Sequence, residues 1–151
     1  MTKPNKNLSE SGITLIELLL TVAIAAILGA AILYFLNPAS QYAAARNNQR
    51  VTHVNTLAGA VRSRITDNHG VFETNCASGH LPGTTTPLGN GPGNYNIEPC
   101  LIPTYLSVMP LDPSNGTASS TGYSIVYTST TRQFVVGAPN AELGQTISVT
   151  R

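Results

Sequence analysis

Apolar residues are concentrated at one end of this chain. From Ile13 to Leu36 they form a nearly unbroken run, ITLIELLLTVAIAAILGAAILYFL, interrupted by Glu17 and the two threonines Thr14 and Thr21. A helix over these 24 residues is about 36 Å long, against a bilayer core of about 30 Å. The pattern therefore predicts a membrane-spanning helix. Asn37-Pro38 interrupts it, because proline lacks an N–H and disfavours helix at the residue before it. Helix-compatible sequence resumes at Gln41. Val51, Val54, Leu57, Ala58, Val61 and Ile65 then recur every three or four positions, marking one face of an amphipathic helix. Asp67-Asn68-His69-Gly70 closes that pattern with a turn and a C-terminal glycine.

After residue 70 the period changes. Tyr123, Ile125 and Tyr127 alternate with Ser124, Val126 and Thr128. Gln133 to Gly137 carries Phe134-Val135-Val136, and Thr146 to Thr150 alternates around Ile147 and Val149. These are three short strands, and their short connections favour an antiparallel meander. The expected fold class is α+β: a long N-terminal helix, membrane-spanning in its first half and amphipathic in its second, packed on a small antiparallel β-sheet head. The expected organisation is 1–12 leader, 13–36 transmembrane helix, 37–70 amphipathic helix and 71–151 head. Within the head, Thr84 to Asn94 is rich in Thr, Gly and Pro and reads as an exposed loop.

Composition adds three points. Charged residues are only 10 % of the chain, against about 25 % for a soluble domain, as expected if something other than charged solvation holds part of it. Net charge is +1, so no global field points to nucleic acid. The two cysteines, Cys76 and Cys100, lie beyond the apolar run. In an exported head they pair, and the closed loop contributes roughly 3 kcal/mol. The alternatives are two buried thiols, or a zinc site with His80, although a tight Cys-x-x-Cys pair is missing. His53, His69 and His80 share no metal-binding spacing, and the sequence has no G-x-S-x-G, P-loop or dinucleotide fingerprint. Nothing in it points to an enzyme or a cofactor.

The N-terminus is more specific. Lys3 and Lys6 precede the apolar run and favour a cytoplasmic N-terminus. The small residue, Gly12, stands before the helix and not after it, so a cut there leaves the helix on the mature protein. Glu17 is a carboxylate inside an apolar span, which is costly without a partner. After a cut at Gly12, the nearest positive group is the new amino terminus of Ile13. The stretch Ser11-Gly12-Ile13-Thr14-Leu15-Ile16-Glu17-Leu18-Leu19 resembles the prepilin cleavage and methylation motif of type IV pilins and type II secretion pseudopilins. Tyr105 to Pro113 more loosely resembles the pseudopilin segment that leads into the sheet.

The resemblance implies cleavage by a prepilin peptidase between Gly12 and Ile13, N-methylation of Ile13, and a role for Glu17 in registering subunits. Many family members carry Phe where this chain has Ile13. The implied partners are identical or related pilin subunits, an inner-membrane assembly platform and, before assembly, membrane lipid. The implied location is the inner membrane with an extracytoplasmic head, then an extracellular or periplasmic filament. Some pseudopilins bind calcium just after the segment before the sheet. Here Asp112 and Glu142 are the nearby carboxylates, too few for about six oxygen ligands. The alternative function is a DNA-binding minor pilin, resting on Arg46, Arg50, Arg62 and Arg64 of the amphipathic helix. The same arginines make that helix basic while the head is mildly acidic, which suggests pairing between stems and heads of neighbouring subunits.

Overall fold

The computed structural model describes residues 12–151, so Lys3, Lys6 and the other residues of the expected leader before Gly12 lie outside it. The chain divides into two compact units at Pro38. In the first unit, α1 spans Leu15–Leu36. Thr14 caps it: its backbone is extended, and its Oγ1 accepts a hydrogen bond from the Glu17 N–H at 3.3 Å. Leu15–Tyr34 is long and apolar enough to cross a membrane. The apolar side chains cover the whole circumference and stay exposed, from Leu15 at 76 % to Leu33 at 71 %. Asn37 ends the helix in the left-handed region, at φ 36°. Helix begins again at once as α2, Pro38–Asp67, three residues earlier than Gln41. Proline is suited to a first helical position, where its missing N–H has no intrahelical partner to lose.

In the second unit α2 lies on a four-stranded antiparallel sheet of order β1-β2-β3-β4, with β1 at Thr86–Pro87, β2 at Ser124–Thr128, β3 at Gln133–Ala138 and β4 at Ile147–Thr150. The meander of three strands is as expected, and β1 is an addition to it. Along β3, Phe134, Val136 and Ala138 turn inward while Val135 and Gly137 are less buried. They meet Val54, Leu57, Ala58 and Val61 of α2 in one core, together with Ile125 and Ile147. Val51 is not part of it and is 43 % exposed. The buried line keeps Val54, Leu57, Ala58 and Val61 as expected and extends toward the N-terminal end through Ala43, Asn47 and Arg50 in place of Val51, and at the other end takes in Arg64. Gly70 closes α2 as expected, at φ 91°, with its N–H donating to the Ile65 carbonyl at 2.7 Å.

The Thr84–Asn94 segment is not a loose loop. Leu88 is 1 % exposed. Its N–H donates to Tyr123 O at 2.8 Å, and Gly91 N–H donates to Ser119 O at 3.0 Å. A side chain at Gly89 or Gly91 would strike the Ser119 backbone. Here glycine permits close approach of two strands of chain, although its abundance suggested mobility. Cys76 and Cys100 form a disulfide with Cα atoms 5.3 Å apart, and Cys100 sits in a short helix α3, Glu98–Leu101. The zinc reading fails, since the sulfurs bind each other and His80 Nδ1 is 2.7 Å from Glu73 Oε1. Cys100→Ser is expected to lower the denaturation free energy of the second unit by about 3 kcal/mol, mostly through the freed unfolded chain. Denaturant titration of parent and variant checks this. Equal midpoints would show that the crosslink contributes nothing.

Candidate functional site

Two sets of residues bear chemistry. The first is the N-terminal motif. Gly12 and Ile13 precede α1 and are exposed, Ile13 at 74 %. A Cβ at Gly12 would touch nothing within 4 Å, so no contact among the described residues demands glycine there. Glu17 lies in the first turn of α1, where the unpaired N–H groups and the helix dipole favour a negative charge. Thr14-x-x-Glu17 has the spacing of a capping box. The carboxylate thus stands at the helix end, which lessens the burial penalty inferred from the hydrophobic run alone.

The second set is a charged clasp between α2 and the head, which the sequence did not disclose. Arg50 is fully buried. Its Nε donates to Asp112 Oδ2 at 2.7 Å and its Nη2 to Asp112 Oδ1 at 3.1 Å. Nη2 also donates to Ser114 Oγ at 2.8 Å, while Nη1 donates to Glu142 Oε2 at 2.7 Å and to Asn47 Oδ1 at 2.9 Å. Every guanidinium donor of Arg50 is therefore satisfied. Arg46 grips Glu142 from the other side, with Nε to Oε2 at 2.8 Å and Nη2 to Oε1 at 2.6 Å. Asn47 fixes the backbone of the same residue, donating from Nδ2 to Glu142 O at 2.8 Å and accepting from Glu142 N–H at 3.0 Å. Asp112 and Glu142, the carboxylates weighed for calcium, do converge, but on a guanidinium.

A third arginine is also enclosed. Arg64 donates from Nε to Phe72 O at 2.8 Å, from Nη1 to Cys100 O at 2.8 Å and from Nη2 to Thr74 O at 2.6 Å, and its guanidinium lies 5.5 Å from the Phe72 ring centre. It gathers the segments on both sides of the disulfide. The expectation that the α2 arginines meet neighbouring heads is corrected accordingly. Arg46 and Arg50 pair with head acids of their own chain, and Arg64 binds carbonyls of its own chain. The DNA-binding alternative loses the same three cations.

The clasp has a pH signature. The Arg46 and Arg50 hydrogen bonds hold the Glu142 carboxyl at about 2. Burial alone would raise Asp112, but the Arg50 and Ser114 hydrogen bonds outweigh it and leave Asp112 below the usual carboxylate range. Depressed carboxylates stabilise the fold above their unfolded values, about 4. That stability is lost as pH falls toward about 2, where Glu142 protonates. Unfolding free energy is expected to drop between those values, and Glu142→Gln should flatten the drop. An unchanged pH profile in that variant would overturn this assignment.

No family model, no curated protein and no solved structure matches this chain.

Proposed function

We propose that this protein is a structural subunit of a type IV pilus-like filament or a type II secretion pseudopilus, cleaved at Gly12 and assembled through α1. The observation that carries the reading is α1 itself. It is 22 residues of apolar helix, with the side chains from Leu15 to Tyr34 exposed on all sides and one carboxylate in its first turn. So much apolar surface needs lipid or other helices around it. Packing between anchors supplies the cohesion once subunits leave the membrane. Glu17 supplies register, pairing with the amino terminus of an adjacent subunit.

The head then carries the surface displayed by the filament, tied to α2 by the arginine clasp. Its role is structural, and no catalytic step is assigned to it. Glu17→Ala tests the assembly role. The variant is expected to be processed and retained in membranes while filament yield falls at least tenfold, as counted by electron microscopy of sheared material. Parental filament yield would sink the pairing role.

A further inference from the structure

The two edges of the sheet differ. β1 is two residues long and ends in Pro87, so it offers little to a further strand. β4 is the other edge, and it is open. Phe134 and Arg151 exchange both backbone hydrogen bonds at 2.9 Å. Bonded pairs alternate along an antiparallel ladder. With Val136 opposite Val149 and Ala138 opposite Ile147, the residues bonded to β3 are Ile147, Val149 and Arg151. The N–H and C=O groups of Ser148 and Thr150 therefore point away from β3. Both residues are exposed, and their outward groups have no partner among the described residues. Gln145 to Thr150 contains no charge, no proline and no bulge, the usual guards of an edge strand.

This edge runs beside α2. A cavity of about 320 Å³ lies between Val51 and Asn55 of α2 and Ile147 to Val149 of β4. Farther along the same line, a second cavity of about 360 Å³ is lined by Gly59, Arg62, Asp67 and Arg151. At Gly59 an added Cβ would meet nothing within 4 Å, so the helix wall is open there. Arg62 and Arg151 point charge into this end, and neither guanidinium has a partner among the described residues. Asp67 also lines this cavity, so the two guanidiniums there outnumber one side-chain carboxylate.

We infer that the β4 edge and the adjoining face of α2 form a docking groove for an extended segment of a partner polypeptide, which adds as a fifth strand and places an acidic side chain beside Arg62 and Arg151. Backbone hydrogen bonds to Ser148 and Thr150 hold the segment, Val51 and Val149 contact its side chains, and the paired guanidiniums select its charge. The β4 strand of a second copy fits poorly. Laid parallel it would bring another Arg151 to the basic end, and laid antiparallel it would bring Gln145, which carries no charge.

The experiment uses the full chain in detergent micelles and reads amide hydrogen exchange. The probe is a blocked hexapeptide of alternating threonine and valine that ends in glutamate. The expected result is at least tenfold slower exchange at Ser148 and Thr150, with Ile147 and Val149 unchanged because they already bond to β3. A peptide ending in lysine should bind at least fivefold more weakly, and Arg62→Ala with Arg151→Ala should erase that difference. The same peptide N-methylated at its central residues should give no protection, a control that leaves the fold untouched. No protection at millimolar peptide overturns the groove. Equal binding of the two peptides overturns the charge selection. Protection that rises with protein concentration alone assigns the edge to a second copy and overturns the partner proposed.

Discussion

Replacing Arg50 by methionine is expected to destabilise the second unit by about 3–5 kcal/mol, the range for removing one member of a buried ion pair. Methionine matches the aliphatic stem of arginine and is fully apolar, so packing along the stem is largely kept. What is lost is the counter-charge of Asp112, which is 4 % exposed. Its carboxylate would be left with the backbone N–H of Ser114, at 2.9 Å, as a remaining donor. Glu142 keeps Arg46 and suffers less. The penalty comes from a stranded charge more than from the worth of the pair, and a second substitution separates the two. Arg50→Met with Asp112→Leu should recover more than half of the loss, because an apolar pair replaces an ionic one with no unpaired group. Denaturant titration of the three proteins measures both quantities. A single variant within about 1 kcal/mol of the parent would mean that the clasp does not hold α2 to the head.

The pattern of apolar positions was enough to read α1, the break at Asn37-Pro38, the end of α2 at Gly70 and the three longer strands. Each rests on short-range periodicity or on the backbone preferences of proline and glycine. The clasp was not read, for a physical reason. Its members lie up to 96 positions apart, and nothing local in Asp112 or Glu142 tells of Arg50. One signal was present. Arg50 falls three after Asn47 and four before Val54, on the line that also carries Leu57 and Val61. An arginine on the buried stripe of a helix requires carboxylates opposite it, and the head beyond Gly70 has only four acids to offer: Glu73, Glu98, Asp112 and Glu142. Reading the four arginines only as a basic helix surface hid that inference and gave them instead to neighbouring subunits. The Thr84–Asn94 segment was misjudged in a similar way. Gly89 and Gly91 are there to let Ser119 approach, while β1 just before them pairs with Ser124 and Ile125 of β2.

Gly12→Val is expected to abolish maturation almost completely while leaving the fold unchanged. The structural part comes from the open surroundings of Gly12, where a Cβ would meet nothing within 4 Å. A larger side chain should cost no packing in either unit. Any strong effect must therefore come from an outside agent that needs the bare backbone at this position, as a peptidase does when it seats the residue before the scissile bond. In the parent, intact-mass measurement should find a chain beginning at Ile13, with or without one added methyl. The cut would free an amino group one helical turn from Glu17, at the end of α1 where Thr14 already caps the first turn. In the variant, the mass should correspond to the full precursor. The protein should remain in the membrane fraction because α1 is intact, yet form no filaments, since the charged leader would stay attached to the helix end that packs against neighbours. Two results would overturn the proposed reading. One is parent protein from assembled filaments that still begins at Met1. The other is a Gly12→Val chain that is trimmed to Ile13 as readily as the parent, which would show that glycine is not what the processing enzyme reads.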